Sequence, residues 1–426
     1  MKIDVLSLFD KGIKLNLYTV LLIVILIFSF LTKAWNIASP DEYYFDEIYY
    51  GFTAEQYALG NTKAWVWDFT PPKGFAYTWD HPPTGKLIMS FFISIFGINS
   101  TSRRMAPLLA GSFLPLIVYL IALTLFPKNK LLAIIAAFLT TCEGLVLSLS
   151  RIALTDSILT LFITLTLLFL WQKKYLLSAI FFGLSISTKW TGIYLIPVIG
   201  ITLITHCKWS FIYWQKSLKN IFIKGLIFAI IGISIYLISY TPLFIHYGFQ
   251  KFIDLHKQMW WYHTNLKATH PSQSVAYLWP IDWRPVWFWV KYGDSKTGNI
   301  YAMLNPFIAW GGILAVLVTM YYYLESKSKN LLVLLLAYFI FWVPWIFSPR
   351  IMFLYHYLPS VPFLIICIAY ILDKLIRADN QFLPYIAMFY ISLVLATFIF
   401  FYPYWTGTPV INDMVDKFRW LKTWGP

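Results

Sequence analysis

The chain has 426 residues, of which 59% are apolar and only 12% charged, and its mean hydropathy is +0.66. A soluble domain carries about 25% charged residues and repeated apolar stretches of about 18 residues indicate transmembrane helices, so soluble fold classes are excluded. The formal net charge of +14 does not predict nucleic-acid binding, because the lysines are scattered among hydrophobic segments, as in the loops of membrane proteins.

The first apolar segment, Leu15–Thr32, follows three lysines and superficially resembles a signal peptide. It is long enough to cross a bilayer, and Pro40 after Ala38-Ser39 argues against cleavage there. We therefore interpret it as a retained first helix whose N-terminus lies in the cytoplasm.

A long polar and aromatic loop, 45–86, follows this segment. It opens with the adjacent carboxylates Asp46 and Glu47, and it ends with the sequence HPPTGK at 81–86. The tryptophans and tyrosines between these ends are suited to binding sugars or a lipid interface. Because a charged loop beside a membrane span must be solvated or line a cavity, we predict that it covers an active site.

The side of the membrane on which this loop lies depends on Leu87–Gly97, which is apolar but too short to cross a core of about 30 Å. If it lies in the interface, the lysine-rich turns near 127–130, 171–175, 207–220, 325–330 and 373–381 all become cytoplasmic, as the positive-inside rule requires. We therefore predict about eleven spans, with the N-terminus inside and the C-terminus outside. The further spans are expected near 104–126, 131–149, 152–171, 175–190, 192–206, 221–241, 302–323, 330–348, 351–372 and 382–402.

This topology gathers the unusual polar residues at the extracytoplasmic face, which is where we expect the functional site. They are Asp46, Glu47, His81, Arg104, Glu143, Arg151, Asp156, Lys189 and Arg350. The organisation then becomes a transmembrane catalytic region 1–241 with the external loop 36–103, an external aromatic loop 242–301, and C-terminal helices with a short external tail, 302–426.

The external segment 242–301 contains four histidines, at spacings of ten, seven and seven residues. Two zinc ligands on one helix face need a spacing of four, so we interpret these histidines as interfacial or hydrogen-bonded rather than metal-binding. The three cysteines, at 142, 207 and 367, are also too far apart to predict a disulfide or metal framework.

Charges inside a membrane are costly, so each predicts either a structural ion pair or a site. Pairing of Arg151 with Asp156, or of Glu143 with Lys189, would be purely structural. The alternative is a polar cavity for a phosphate and a hydroxylic substrate. Because the sequence has no glycine-rich phosphate loop, the activated donor would be a lipid-linked phosphosugar.

Transfer of a sugar with inversion needs a carboxylate to take the proton of the acceptor hydroxyl, and cations to hold the leaving phosphate. Asp46 is the candidate base. Arg104, with Lys189 or Arg350, is the candidate for binding the phosphate.

Seven motifs together resemble the protein O-mannosyltransferases, which are membrane glycosyltransferases of the GT-C fold. The motifs are FDE at 45–47, HPPTGK at 81–86, RRMAPLLAG at 103–111, SRIALTDS at 150–157, STKWTG at 187–192, WPIDWRPVWFW at 279–289 and SPRIMFLYHYLP at 348–359. They run along nearly the whole chain in order. An earlier pair, Asp41-Glu42, is not chosen, because the motif has Phe before the pair and Tyr-Tyr-Gly shortly after it.

This resemblance implies transfer of mannose from a polyprenyl phosphate to Ser/Thr hydroxyls of exported proteins, at the extracytoplasmic face of the plasma membrane. It implies Asp46 as base with Glu47 as its partner, no required metal or other cofactor, and membrane lipids as surroundings. The substrate-binding residues are predicted to be His81, Arg104, Glu143, Arg151, Asp156, Lys189, Trp190 and Arg350. The external loop lacks the MIR module of eukaryotic members, which indicates a bacterial-type member.

Two other functions remain open from the sequence. A related GT-C enzyme would move a sugar such as aminoarabinose onto lipid A, and product analysis would separate the two. A transporter or flippase would spread its charges through the membrane depth, whereas here they crowd one face.

Overall fold

The computed structural model describes residues 16–207 and 214–425, which form a helical bundle with one small sheet. The helices are α1 (Leu17–Ala34), α2 (Tyr50–Ala58), α3 (Thr84–Phe96), α4 (Ser100–Leu125), α5 (Lys130–Thr141), α6 (Gly144–Leu149), α7 (Asp156–Trp171), α8 (Tyr175–Ile186), α9 (Leu195–Thr205), α10 (Trp214–Ser239), α11 (Thr241–Asn265), α12 (Pro306–Ser326), α13 (Lys329–Ile340), α14 (Val361–Ile376), α15 (Leu383–Thr406) and α16 (Asn412–Val415). The strands are β1 (Val286–Tyr292), β2 (Lys296–Ala302) and β3 (Val410–Ile411).

Within the described ranges, seven helical segments are long and apolar enough to cross a membrane, and five shorter apolar helices accompany them. The chain is therefore a multi-pass membrane protein, while the span count of about eleven stays a prediction. Helix α3 has 13 residues and is about 20 Å long, which is too short to cross. Its exposed Phe91, Ile95 and Phe96 suit the predicted interfacial position.

The predicted span 131–149 is wrong as a single helix, because the chain breaks between α5 and α6. At the break Glu143 has an extended backbone, and its carboxylate accepts a hydrogen bond from the Val146 amide at 2.6 Å. A side chain that accepts from the amide three residues on is an N-cap, and it starts a new helix there.

The segment 242–301, which was predicted to be an external loop, is far more regular than a loop, because it contains α11 and a β-hairpin. Strands β1 and β2 pair antiparallel with a bulge between Trp287 and Trp289, and β3 from the C-terminal tail pairs with β2 at Lys296 and Thr297. Strand β2 also packs on α15. The C-terminal tail is thus tied to the external segment.

Helix α4 lies at the centre of the N-terminal half and packs against α1, α3, α5 and α7. Gly111 lets α4 approach the C-terminal end of α6, since a Cβ there would overlap the side chain of Ser150, the C-cap residue of α6. Ser150 lies just before the start of α7, so this contact brings the motif at 150–157 against the motif at 103–111.

Candidate functional site

Four of the residues predicted from the sequence line one cavity of about 400 Å³. They are Asp46, His81, Lys189 and Arg350, and Tyr355 joins them in the wall. These residues come from the first loop, the start of the 190–194 turn and the late 348–359 motif. The fold therefore joins residues more than 300 positions apart into one polar site.

Asp46 lies in the short 3₁₀ turn Phe45–Ile48. Phe45 has a φ of +49°, in the left-handed region that costs a non-glycine residue about 1–2 kcal/mol. Its ring packs against Phe288 of β1 at 4.4 Å between centroids, which holds the turn in place. The Asp46 carboxylate then faces the cavity, where the Tyr355 hydroxyl donates to it at 3.4 Å.

The Asp46 carboxyl is poised to exchange a proton near neutral pH. Burial raises its pKa to about 7, because desolvation and the nearby Asp156 and Asp80 carboxylates outweigh the opposing charge of Lys189. A carboxylate with a pKa near 7 can act as an efficient general base at neutral pH.

Lys189 is anchored to the cavity wall by Asp156. The ammonium lies 3.0 Å from the Asp156 carboxylate, and both residues are buried, at 4% and 2% exposure. Asp156 is the first residue of α7, and Lys189 directly precedes the 3₁₀ turn Trp190–Tyr194. One residue from each of the motifs TDS and KWTG thus contributes to this ion pair. Asp156 lies behind Lys189 and does not line the cavity itself.

The Arg350 side chain is held in place by His263, which no sequence motif marks out. The guanidinium donates from Nη1 to Nδ1 of His263, near the end of α11, and His263 Nε2 donates to the Asp80 carbonyl at 2.8 Å. Arg350 Nε is buried and has no hydrogen-bond partner within the described part of the chain. A guanidinium with an unused buried N–H is suited to binding an anion.

The Lys86 side chain folds the loop that carries His81. Its ammonium donates to the carbonyls of Thr78 and His81, the latter at 2.9 Å. Burial, together with Lys189 beside it, lowers the pKa of His81 well below its usual value, so the ring is neutral at pH 7.

The start of α3 locks this loop to the segment carrying Lys189. The Thr84 amide donates to the Ser187 carbonyl at 2.9 Å. A Cβ at Gly85 would lie only 2.6 Å from a methyl group of Thr155, so only glycine permits this approach. The sequence HPPTGK therefore positions His81 and Lys189 together.

A second cavity, of about 280 Å³, adjoins the first and shares His81, Lys189 and Arg350 with it. Trp190 and Ile193 line its other side, and Ile193 is 46% exposed on the apolar helical surface. We call this cavity the membrane groove. It could hold the apolar chain of a lipid with the headgroup among the three polar residues.

Glu47 and Arg104, which were predicted to be the base partner and a phosphate ligand, do not line either cavity. The guanidinium binds the Glu47 carboxylate with two hydrogen bonds, of 2.8 and 2.9 Å, and it also donates to the carbonyls of Ile37 and Glu42. Both side chains are fully buried. This pair instead fixes the turn that carries Asp46.

Arg151 and Glu143, which were predicted to contact substrate, line neither cavity and bond to backbone groups instead. Arg151 donates to the carbonyls of Lys33, Trp35 and Asn36 at the C-terminal end of α1, at 2.6, 2.7 and 3.2 Å. Glu143 caps α6 and accepts from the Asn305 amide at 3.1 Å. The alternative pairs Arg151–Asp156 and Glu143–Lys189 do not form. Lys189 pairs with Asp156 instead, while Arg151 and Glu143 bond to backbone groups.

Asp80, His81 and His263 offer three potential metal-ligand atoms within 4.8 Å of one another. Both ring nitrogens of His263 are already hydrogen-bonded, and Arg350 and Lys189 place positive charge beside the group. A divalent cation that used His263 as a ligand would have to break one of these bonds and would face both cations. The arrangement suits an anion better than a metal ion.

Among the lining residues that the sequence did not single out, Asp80, His263 and Tyr355 make the polar contacts described above. Tyr355 lies inside the motif at 348–359, so the motif was recognised but not this member of it. His263 was grouped with the other external histidines, and nothing in their spacing marks it out. It reaches the cavity because α11 runs back over the first loop.

Two family models together match nearly the whole chain. Residues 23–248 match the dolichyl-phosphate-mannose-protein mannosyltransferase model, and residues 248–424 match the C-terminal four TMM region of protein-O-mannosyltransferase. The first match alone covers more than half of the 426 residues.

Individual relatives are similar over different lengths. The chain is 22% identical to the polyprenol-phosphate-mannose–protein mannosyltransferase of Mycobacterium tuberculosis, over 81% of this chain and 80% of the relative. It is 29% identical to the dolichyl-phosphate-mannose–protein mannosyltransferase 1 of Saccharomyces cerevisiae, over 44% of this chain but only 25% of that longer protein.

Among solved structures, the S. cerevisiae protein O-mannosyltransferase Pmt1-Pmt2 complex bound to the sugar donor has a similar fold. The TM-score is 0.81 with 14% identity, over 98% of this chain and 94% of the yeast chain. The predicted GT-C fold is thereby confirmed.

Proposed function

Because the chain belongs to the protein O-mannosyltransferase family, we propose that it transfers mannose from polyprenyl-phosphate-mannose to Ser/Thr hydroxyls of exported proteins, with inversion. The observation that carries this proposal is the Asp46 carboxylate, which faces the same cavity as Lys189 and Arg350. A base and two cations around one space are what such a transfer requires.

The proposed reaction is a single displacement. Asp46 takes the proton of the acceptor hydroxyl while that oxygen forms a bond to the anomeric carbon. The bond from this carbon to the phosphate oxygen breaks, and the phosphate leaves with the electron pair. Lys189 and Arg350 would stabilise the charge on the leaving phosphate, replacing the predicted role of Arg104.

The lipid donor is proposed to bind from the membrane groove. Its polyprenyl chain would lie along Trp190 and Ile193, and its phosphate would lie among Lys189, Arg350 and His81. The acceptor hydroxyl would then approach Asp46 from the opposite, larger cavity.

The reaction is proposed to need no metal, because two cations already serve the leaving phosphate and both ring nitrogens of His263, one of the three potential metal ligands, are hydrogen-bonded. Transfer should therefore persist in excess EDTA. A loss restored by added Mg²⁺ or Mn²⁺ would overturn this part.

The acceptors are proposed to be exported proteins modified at the outer face of the plasma membrane. The support is the lysine-rich turns on the opposite side of the bundle from the loop at 45–86, as the predicted topology has them.

The experiment uses purified protein in detergent with polyprenyl-phosphate-mannose and a peptide containing one Thr. Wild type should add one hexose, and Asp46→Asn should slow transfer by about 10²–10⁴-fold, the usual contribution of a general base. Asp41→Asn is the control, because Asp41 is exposed and outside the cavity. Equal rates for Asp46→Asn and wild type, or a mass shift other than one hexose, would contradict the proposal.

A further inference from the structure

A third cavity, of about 480 Å³, opens beside the catalytic cavity, between segments 268–284 and 348–352. We call it the outer groove. Ala268, Arg350 and Ile351 line both cavities, so the two spaces share one wall. A ligand that reaches Asp46 from outside the membrane can extend into this groove.

The lining of the outer groove is basic and polar. It contains two guanidinium groups, those of Arg284 and Arg350, and no Asp or Glu. Arg284 is exposed, and its Nη1 donates to the Pro271 carbonyl at 3.2 Å, which keeps the side chain at the groove wall. The groove therefore favours an anionic group.

The shape and position of the groove favour a peptide. The two segments that form it are joined by a backbone hydrogen bond of 3.0 Å from Ser274 to Met352, and Trp283, at 41% exposure, offers an aromatic surface. Its volume lies in the range of sites that enclose a small ligand or a short peptide segment. The apolar lipid chain already has its own place in the membrane groove.

We propose that the outer groove binds the acceptor polypeptide next to the modified Ser or Thr, and that Arg284 selects a carboxylate side chain there. This inference rests on the proposed function. It adds a preference for acidic acceptor sequences, set by a residue outside the reacting centre.

The test compares three peptides that each contain one Thr and differ at the flanking positions, with Asp, Asn or Lys within three residues. For wild type we expect kcat/KM to be about two- to fivefold higher with Asp than with Asn, the usual range for an exposed ion pair. The preference should shrink as salt is added. Arg284→Glu should abolish it and favour the Lys peptide.

Lys291→Glu is the matched control, because it reverses an exposed charge on β1 outside the groove. Equal kcat/KM for the Asp and Asn peptides in wild type would overturn the inference, while transfer to both would leave the proposed function standing. An equal response of Arg284→Glu and Lys291→Glu would overturn it too. The same assay is repeated with the protein in vesicles of varied phosphatidylglycerol content. An effect of Arg284→Glu that follows this lipid content and not the peptide charge would also overturn the inference.

If no peptide accepts mannose, the proposed function fails, and the groove is tested by binding of fluorescent peptides to the protein without donor. Tighter binding of the Asp peptide by wild type than by Arg284→Glu would then support the groove. Equal binding would overturn it.

Discussion

At the scale of single residues, Asp46 combines a position in the cavity with a pKa near neutrality. Because its pKa is raised to about 7, the base form is present above pH 7 and is lost as the pH falls. We expect kcat/KM to drop about tenfold per pH unit well below 7 and to level off above it. Transfer assays between pH 5 and pH 9 measure this.

Protonation of His263 should cause a second fall in kcat/KM, at a lower pH than the fall caused by Asp46. The pKa of His263 is lowered by burial and by Arg350, so its protonation, which would repel Arg350, comes at lower pH than that of Asp46. The residual activity of Asp46→Asn should lack the fall in kcat/KM that begins near pH 7. A flat wild-type profile between pH 5 and pH 8 would contradict Asp46 as the base.

The buried pair of Glu47 and Arg104 leads to a prediction about stability. Glu47→Gln leaves the Arg104 guanidinium buried without its counter-charge, which costs about 3–5 kcal/mol in comparable pairs. The melting temperature should fall by several degrees, while Glu42→Gln, an exposed control, should change it little. Normal melting of Glu47→Gln together with lost transfer would instead give Glu47 a direct catalytic role.

The residue types of the site could be predicted from the sequence, but which of these side chains face the cavity could not. Asp46, Lys189 and Arg350 line one cavity and Asp41 does not, while the role of Asp46 as the base stays a prediction. Arg104 has the same charge as Arg350, yet Glu47 and two carbonyls engage all three of its nitrogens, and it lies outside the cavity. Only the folded chain decides which guanidinium faces the cavity.

At the scale of elements, the turn Trp190–Tyr194 depends on close packing against α8. A Cβ at Gly192 would lie 2.7 Å from the backbone of Ser185 and Ile186, which cannot move aside as a side chain would. Gly192→Ala should lower the melting temperature and slow transfer at least tenfold, since a displacement of about 1 Å can cost 10²-fold.

Gly200→Ala, in α9, is the matched control for that substitution. Nothing lies within 4 Å of a Cβ there, and alanine favours the helix by roughly 0.5–1 kcal/mol. This variant should retain transfer and melt no lower than wild type. If both variants behave alike, the packing explanation is wrong.

The long apolar helices were predictable because their composition alone marks them, whereas the external segment was not. Helix α11 has a mixed sequence with exposed Trp260 and Trp261, and the hairpin carries aromatic residues on both strands. Their order comes from long-range contacts, such as Phe288 with Phe45 and β2 with α15. Local periodicity does not contain that information.

At the scale of the whole molecule, the charge pattern predicts which face lies outside. Cysteines introduced at Lys73, in the first loop, and at Lys128, in the turn after α4, are both at exposed positions. In intact cells a membrane-impermeant maleimide should label the first and not the second, in a background where Cys142, Cys207 and Cys367 are replaced. The reverse pattern would invert the topology and move the active site to the cytoplasm.

Arg350 lines all three cavities described above, so under the proposed function one side chain would be common to the lipid, the sugar and the polypeptide. Occupancy of one space changes the surroundings in which the next ligand binds. Thermodynamic reciprocity then requires that the factor by which donor alters acceptor affinity equals the factor by which acceptor alters donor affinity. Under the proposed function, the two substrates would thereby be coupled through a single guanidinium.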